Sequence, residues 1–314
     1  MQEKFAIGID VGGSSLKCGV VNQNGEIIHS FLQSLEETST EADVITLITA
    51  AALQCAATVN NLVEGIGVGF PGIVDQNTVI GGADNLPGFN NLPLGQILKA
   101  RTGYPVWVNN DANMMGYGEL KYGVASGSEN MVFLTVGTGI GGAILIDGKI
   151  FGGHQNRGAE LGHIMINHGG KLCSCGAKGC FEAYASISAL IEDFRDAGGT
   201  IAKGDQITGR SIVAKYHEND SIAKIALQQH FDYMATGIAS LINVFSPQKV
   251  VIGGGISEAG QFYVNEIKTR TLGMAMPAAA QFTSIVAANL GNKAGLLGCA
   301  AKVFDQIKNS DNHV

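Results

Sequence analysis

One histidine and three cysteines occur in the sequence at spacings typical of a structural metal site. His163 is followed by Cys173, Cys175 and Cys180, so half of the six cysteines fall within eight residues. Three thiolates and one imidazole form a tetrahedral zinc set, and the glycines at 176 and 179 permit the tight loop that such ligands need. Disulfide bonds are the alternative, which the lack of a secretory signal pattern disfavours. We therefore predict zinc.

Three glycine-rich turns each follow an apolar segment, over residues 10–17, 135–142 and 250–257. Glycine lets the backbone approach a phosphate closely and point N–H groups at it. Asp10, at the first turn, is placed to hold Mg²⁺ through water. The third turn leads into a predicted helix, whose N-terminus suits a nucleotide or another polar group. An ordinary hairpin, a bulge and a tight strand–helix connection are the structural alternatives.

Carboxylates beside amides are a further group of candidates. Asp111 lies within Asn109–Asn113 at the end of a predicted strand, where an α/β sheet usually opens onto its ligand. An aspartate there can act as a general base toward a hydroxyl, unless it is only the N-cap of the next helix. Glu160 and Glu182 flank the cysteine loop. Such carboxylates bind sugar hydroxyls, and solvated surface glutamates are the alternative.

The elements that must position these residues alternate between strands and helices, which favours an α/β fold. The order strand, glycine turn, strand, hairpin and strand occurs over residues 5–31 and again over 131–151. This repetition suggests a weak internal duplication of two related lobes. A capping-box pattern at Thr38–Glu41 predicts a helix that ends near residue 60. Another helix is predicted over residues 257–269.

The composition excludes several classes of protein. The 314 residues include 44 glycines and 15% charged residues, and the net charge is −7. An acidic chain lacks a basic surface for nucleic acid or anionic membranes, and 46% hydrophobic residues suffice for a sizeable core. Uncharged runs at 44–63 and 271–292 contain polar residues, so we interpret them as buried soluble segments. We expect a cytoplasmic enzyme with no nucleic-acid or membrane partner.

Taken together, the motifs resemble those of the ROK sugar kinases, a family within the actin–hexokinase–heat-shock ATPase superfamily, over nearly the whole chain. The most specific blocks are Glu160-Leu-Gly-His163 and Cys173-Ser-Cys-Gly-Ala-Lys-Gly-Cys-Phe-Glu182. Further matches are Ile9–Lys17, Gly67–Gly72, Asn110–Asn113, Gly137–Gly142 and Gly253–Gly255. Ser15 stands where many members carry threonine, and the hydroxyl is kept.

This resemblance implies a two-lobed α/β fold of the actin-like ATPase (ribonuclease H-like) type, with a cleft between duplicated lobes. The N-terminal small lobe would comprise residues 1–112 and 294–314, and the C-terminal large lobe residues 113–293 with the zinc-binding loop. The implied activity is ATP-dependent phosphorylation of a hexose at the 6-hydroxyl, with glucose as the first choice. The implied cofactors are ATP, catalytic Mg²⁺ and structural Zn²⁺.

The resemblance also implies roles for individual residues, with Asp111 as the catalytic base. The sugar would be bound by Gly72, Asn85, Asn110, Asp111, Glu160, His163 and Glu182. ATP and its Mg²⁺ would be bound by Asp10, Gly12, Gly13, Ser14, Ser15, Lys17, Gly137, Thr138, Gly139, Gly254 and Gly255. Zinc would be bound by His163, Cys173, Cys175 and Cys180, and four protein ligands leave no position open for catalysis.

Alternatives to a glucokinase stay open. The motifs do not separate glucose from N-acetylglucosamine, N-acetylmannosamine or fructose, because the discriminating loops near 83–91 and 152–157 have no readable shape in the sequence. A sugar-responsive regulator of the same family would carry an added N-terminal helix-turn-helix domain. The first glycine turn begins by residue 10, which leads us to expect an enzyme instead. The family also leads us to expect a homodimer.

Overall fold

Two five-stranded sheets of the same topology form the framework of the chain. The computed structural model describes residues 3–36, 38, 40–83, 86, 88–201, 206–255 and 260–311. The chain divides into two compact units. Unit 1 comprises Met1–Gly127, Ile150–Ala159 and Leu290–Val314, and unit 2 comprises Ser128–Lys149 and Glu160–Asn289.

Unit 1 is built on a sheet with the strand order β3-β2-β1-β4-β7. The strands of unit 1 are β1 (Phe5–Val11), β2 (Ser15–Asn22), β3 (Ile27–Ser34), β4 (Val63–Phe70), β5 (Ile73–Asp75), β6 (Thr78–Gly81) and β7 (Val106–Asn110). Its helices are α1 (Glu41–Thr58), α2 (Leu94–Thr102), α3 (Asp111–Lys121) and α10 (Ala294–Asp311). Strands β1 to β3 pair antiparallel, whereas β1, β4 and β7 run parallel. Since β4 is buried from Gly65 to Phe70, it is covered on both faces.

Unit 2 repeats this arrangement with the strand order β10-β9-β8-β11-β12. Its strands are β8 (Met131–Val136), β9 (Ile140–Ile146), β10 (Lys149–Ile150), β11 (Lys249–Gly253) and β12 (Ser284–Ala287). Its helices are α4 (Glu182–Ala185), α5 (Ile187–Asp196), α6 (Gly209–His217), α7 (Ser221–Phe245), α8 (Gln261–Met274) and α9 (Pro277–Ala280). Strands β8 and β9 are antiparallel, and β8, β11 and β12 are parallel. The matching strand orders confirm the predicted duplication.

Helix α1 has its capping box two residues later than predicted. The Thr40 hydroxyl accepts the N–H of Asp43 at 3.2 Å, and the Asp43 carboxylate accepts the N–H of Thr40 at 3.0 Å. The predicted cap, Thr38, instead donates its hydroxyl to the carbonyl of Leu35 at 2.6 Å. Both threonines precede acidic residues by three positions, so the sequence offered two registers. In the structure the N-cap is Thr40, whose backbone dihedral angles are extended, as is typical of that position.

Helix α8 begins later than the predicted helix over residues 257–269. Its first residue is Gln261, and it extends to Met274. Gly260, directly before it, has a φ of +92°, a conformation outside the right-handed helical region. The helix therefore cannot continue toward the third glycine turn through Gly260. Residues 256–259 lie outside the described residues.

The boundary between the units falls after Gly127, whereas the sequence-based prediction places it after residue 112. The physical reason is the close packing of α3 against α10 within unit 1. A Cβ on Gly298 would overlap the carbonyl oxygen of Met114, and one on Gly118 would overlap that of Ala294. Without side chains at these two glycines, the helix backbones touch directly, so α3 stays with the first unit.

The two long uncharged runs are divided between several elements. The run over 44–63 contains most of α1 and reaches the first residue of β4, and the run over 271–292 contains the end of α8, then α9 and β12. Within the described part of the chain, no helix combines the length and apolar character needed to cross a membrane.

Candidate active site

The first glycine turn connects β1 to β2 in unit 1. The Gly12 N–H donates to the carbonyl of Ser15 at 2.8 Å, which closes the turn. Asp10 and Lys17 are directly paired across the two strands, and Lys17 Nζ lies 3.4 Å from Asp10 Oδ2. Gly13 and Ser14, at the tip of the turn, are exposed.

The Asp10 carboxylate is largely buried, with 12% of its side chain exposed. Burial raises its pKa above the ordinary value, and the Lys17 ammonium partly offsets that shift. Gly295, at the start of α10, lies directly behind the carboxylate, because a Cβ there would lie 2.5 Å from Asp10 Cγ. A buried carboxylate beside a glycine turn offers the oxygen ligand that Mg²⁺ prefers. These residues therefore fit a magnesium ion.

A second group of predicted residues meets where β7 ends and α3 begins. The N-cap of α3 is Asn110, whose side-chain oxygen accepts the N–H of Asn113 at 3.0 Å. The same amide donates to the carbonyl of Gly72 at 3.0 Å. The alternative that Asp111 is the N-cap is therefore wrong. Asp111 is the first residue of α3, and its Oδ1 accepts the N–H of Ala112 at 2.9 Å.

The position of Asp111 suits a charged base, because the positive end of the α3 dipole favours the carboxylate form. Its side chain is partly exposed. Gly72 has a φ of +86°, and a Cβ on it would overlap the carbonyl oxygen of Gly81. Only glycine fits there, so the loop after β4 can bring its backbone carbonyl to Asn110. Asn85 lies outside the described residues.

The second glycine turn connects β8 to β9 in unit 2. The N–H of Gly137 donates to the carbonyl of Gly139 at 2.9 Å. Glu182 Oε2 accepts the N–H of Ile140 at 2.8 Å. A Cβ on Gly139 would overlap this carboxylate oxygen, so glycine at 139 is required for the close contact.

A cavity of about 360 Å³ borders the second turn in unit 2. It is lined by Val136, Gly137, Thr138, Ile187, Ser188, Ile191, Thr208, Gly209, Arg210 and Gly255. It thus brings together Gly137, Thr138 and Gly255, which were predicted to bind the nucleotide. Gly254, with a φ of +87°, packs its backbone against Val136. Apolar walls with a few hydroxyls suit a nucleoside.

Sequence reasoning did not find the part of this cavity formed by α5 and the start of α6. Ile187 and Ile191 come from α5, whereas Thr208 is the N-cap of α6. The capping box of Thr208 with Ser211 was the available local signal. It identifies a helix start, but it carries no information about the neighbours of that helix.

The four predicted zinc ligands come together in unit 2. Their ligand atoms all lie within 4.8 Å of one another. His163 Nδ1 lies 3.6 Å from Cys173 Sγ, and Cys175 Sγ lies 3.7 Å from Cys180 Sγ. Tetrahedral zinc with bonds of about 2.3 Å to sulfur and about 2.0 Å to nitrogen places neighbouring ligand atoms about 3.5–3.8 Å apart. The donor set therefore fits zinc in both chemistry and spacing.

The segments on either side of this cluster carry the predicted sugar-binding carboxylates. Glu160 is exposed and directly precedes the short 3₁₀ turn Leu161–His163, so it lies three residues from the histidine ligand. Glu182 is the first residue of α4, and its Oε1 lies 3.3 Å from Ser174 Oγ in the cysteine loop. Ser174 was not among the predicted residues. Its hydroxyl helps to fix the orientation of Glu182.

Comparison with known proteins places these features in a family. The model of the ROK family matches residues 6–306. A glucokinase of Thermotoga maritima is 31% identical, with 96% of this chain and 98% of that protein covered. A glucokinase of Streptomyces coelicolor is 34% identical, with 94% of this chain and 96% of that protein covered. The crystal structure of a ROK family glucokinase from Streptomyces griseus in complex with glucose and AMPPNP has a TM-score of 0.80 at 31% identity, covering 96% of this chain and 99% of that one.

The family also includes regulators. A xylose repressor of Bacillus spizizenii is 28% identical and matches 96% of this chain, but the match covers only 78% of the repressor. This chain is thus more similar to the two glucokinases, which it matches over nearly their full length. The chain belongs to the ROK family and has the actin-like ATPase fold of its sugar kinases.

Proposed function

We propose that this chain is a sugar kinase that transfers the γ-phosphoryl group of ATP to the 6-hydroxyl of a hexose, and that the hexose is glucose. The observation that carries the proposal is the position of Asp111 at the end of β7. Asn110 performs the capping role there, and Asp111 presents a carboxylate at the positive end of α3. Glucokinase relatives at 31% and 34% identity support glucose as the substrate.

Asp111 acts as the general base. Its carboxylate accepts the proton of the 6-hydroxyl while that oxygen forms a bond to the γ-phosphorus of ATP and the bond from γ-phosphorus to the bridging oxygen breaks. The products are a hexose 6-phosphate and ADP, with the proton held on Asp111. Little else is required of the protein beyond positioning and charge stabilisation, because phosphoryl transfer is catalysed mainly in these two ways.

The sugar hydroxyls are bound by Gly72, Asn85, Asn110, Asp111, Glu160, His163 and Glu182 in this proposal. Support comes from the contact of Asn110 with Gly72 in unit 1. In unit 2, support comes from the short turn that carries both Glu160 and His163. Carboxylates and amides suit this task, since together they accept and donate hydrogen bonds to hydroxyl groups.

Nucleotide binding is assigned to Asp10, Gly12, Gly13, Ser14, Ser15, Lys17, Gly137, Thr138, Gly139, Gly254 and Gly255. Backbone N–H groups of the two glycine turns bind the phosphates. The cavity beside Thr138 and Gly255 receives the nucleoside. Asp10 would hold Mg²⁺, and the ion would neutralise charge on the phosphates.

Zinc has a structural role in this proposal. His163, Cys173, Cys175 and Cys180 complete a tetrahedral set, so no position is open for substrate. Since Nδ1 of His163 faces the cysteines, its Nε2 is the nitrogen that reaches the sugar. The ion would thus hold the segments that carry Glu160 and Glu182 at fixed positions.

The protein works in the cytoplasm as a homodimer in this proposal. Cysteine thiolates that bind zinc and buried free thiols at Cys18, Cys55 and Cys299 suit a reducing compartment. Support for the dimer comes from the family resemblance. Sedimentation at micromolar concentration tests it, because a monomer would give about half the expected mass.

A coupled ADP-release assay tests the substrate. Glucose, mannose, fructose, N-acetylglucosamine and N-acetylmannosamine are compared at equal concentrations with the same ATP supply. We expect the highest kcat/KM for glucose, and the product is identified as the 6-phosphate by ³¹P NMR. A much higher kcat/KM for an acetylated sugar would show that this sugar, and not glucose, is the substrate. ADP release that none of the sugars stimulates would contradict a sugar kinase.

A further inference from the structure

Glu119, on α3, is a charged side chain with 0% of its surface exposed. It is not among the residues proposed for catalysis or binding. A buried carboxylate requires hydrogen-bond donors, and backbone groups supply them here. Glu119 Oε2 accepts the N–H of Val124 at 3.0 Å, and Oε1 accepts the N–H of Leu290 at 2.9 Å.

These two N–H groups belong to segments far apart in the sequence. Val124 lies just before the chain first leaves unit 1 after Gly127, and Leu290 is the residue at which the chain enters unit 1 for the last time, after the separate segment Ile150–Ala159. A single carboxylate therefore ties the first exit and the last return of the chain to α3, entirely within unit 1. We call Glu119, Val124 and Leu290 the α3 clasp.

The α3 clasp joins two elements that each carry or contact a proposed active-site residue. Asp111 is at the start of α3, eight residues before Glu119 and thus about 12 Å along the helix. On the other side, Leu290 leads through the 3₁₀ turn Gly291–Lys293 into α10. The first turn of α10 contains Gly295, which backs the Asp10 carboxylate. Glu119 thus connects the helix that begins with Asp111 to the helix that abuts Asp10.

Gly123 shows that the clasp requires close approach. A Cβ on Gly123 would overlap Oε2 of Glu119 and would lie 2.8 Å from the Cα of the same residue. Any larger residue must therefore displace the carboxylate or the end of α3. Glycine at this position lets the chain turn directly over the carboxylate, so that the N–H of Val124 reaches it.

We propose that Glu119 is a positioning residue for phosphoryl transfer. Its carboxylate holds α3 and the start of α10 in one register, and this register sets the separation of the Asp111 and Asp10 carboxylates. Glu119 does not touch substrate and exchanges no proton during the reaction. The kinetic consequence rests on the proposed function, whereas the clasp itself rests only on the contacts within unit 1.

The test compares Glu119→Gln with wild type. Glutamine keeps the shape but places an amide NH₂ against one of the two backbone N–H donors, so one clasp bond is lost. We expect kcat to fall about tenfold with KM values for glucose and ATP within about twofold, since positioning acts on the transition state. Amide hydrogen exchange should accelerate about tenfold or more at whichever of Val124 and Leu290 loses its acceptor. Glu36→Gln, an exposed glutamate of unit 1, is the matched control and should change neither quantity.

Gly123→Ala provides an independent variant, because it displaces the carboxylate without changing any charge. Gly123→Ala should also lower kcat and accelerate amide exchange in the clasp. If Glu119→Gln does not fold, the proposal is tested with Gly123→Ala alone. A merely structural role would lower the yield or the Tm and leave kcat per folded chain within twofold of wild type. That result, or unchanged exchange at Val124 and Leu290, would overturn the inference. If the wild-type protein has no hexose kinase activity, the proposed function is contradicted. The exchange rates of Val124 and Leu290 would still show whether Glu119 holds these two segments.

Discussion

The carboxylate of Glu182 accepts the backbone N–H of Ile140 at 2.8 Å, directly after the second glycine turn. Its other oxygen lies 3.3 Å from the Ser174 hydroxyl in the loop that carries three of the proposed zinc ligands. One side chain thus connects the proposed phosphate-binding turn to the proposed metal loop within unit 2. The proposed sugar binding and the arrangement of the turn therefore depend on the same carboxylate.

Glu182→Ala should raise the KM for glucose and lower kcat, because it removes a proposed sugar ligand and the acceptor for Ile140. We expect kcat/KM to fall about 100-fold or more, in line with the loss of a charged hydrogen bond of about 3 kcal/mol. The zinc content should stay at that of wild type, since Glu182 is outside the ligand set. Steady-state kinetics and metal analysis measure these quantities. Glu218→Ala, an exposed glutamate of unit 2, is the control, and an unchanged kcat/KM in Glu182→Ala would contradict this role.

Cys175→Ser should reduce bound zinc to well below one ion per chain. Removal of one thiolate from a tetrahedral set weakens binding strongly. The segments that carry Glu160 and Glu182 then lose their anchor, so glucose affinity should fall together with metal content. Atomic absorption and isothermal titration with glucose measure the two effects.

His168→Ala is the matched control for the metal site. His168 is an exposed histidine in the same loop, five residues after His163 and outside the ligand cluster. It should retain zinc and glucose affinity at wild-type levels. If wild-type protein that contains no zinc is fully active, the structural role of the ion is contradicted.

His230 predicts a loss of stability in mild acid. Its ring is buried between α7 and α8, with Nε2 2.6 Å from the hydroxyl of Tyr263. Burial lowers the pKa of His230 from 6.5 to about 3. Below pH 6.5 the unfolded chain binds a proton that the folded chain does not, so stability falls as the pH decreases toward 3. Between pH 8 and pH 5 this one residue should lower the free energy of unfolding by about 2 kcal/mol.

Urea unfolding at pH 8 and pH 5 measures this contribution. His230→Leu removes the titrating group, so its stability should decrease less between the two pH values, by about 2 kcal/mol. The variant is expected to be less stable at pH 8, since Tyr263 loses its partner, but that change cancels in the comparison. An equal pH dependence in both proteins would contradict the argument.

Features encoded in contiguous residues were predictable from the sequence. The three cysteines of the Cys/His cluster lie within eight residues of each other, and the glycine turns follow apolar strands. Backbone geometry acts over such short distances, so spacing was enough to predict that these side chains meet, and the binding of zinc by them stays a prediction. The repeated strand order was predictable for the same reason, because the pattern around Asp10 recurs near residue 135.

Features that depend on tertiary packing were not predictable. The unit boundary follows from the contact of Gly118 and Gly298 with neighbouring helix backbones, and a single sequence does not reveal which helices meet. Glu119 belongs to an ordinary-looking helix, and its partner Leu290 is 171 residues away. The cap of α1 was predicted in the wrong register, because Thr38 and Thr40 offer similar local patterns.

Asp111→Asn removes the proposed general base and leaves the other proposed site residues in place. Asparagine keeps the size of the side chain but cannot accept the proton of the 6-hydroxyl. Glucose 6-phosphate formation is measured under saturating glucose and ATP, with Asp147→Asn at an exposed turn as the control. We predict that kcat falls about 1000-fold while glucose binding and zinc content are retained, as expected for loss of a general base. Turnover of Asp111→Asn within tenfold of wild type would show that Asp111 is not the general base.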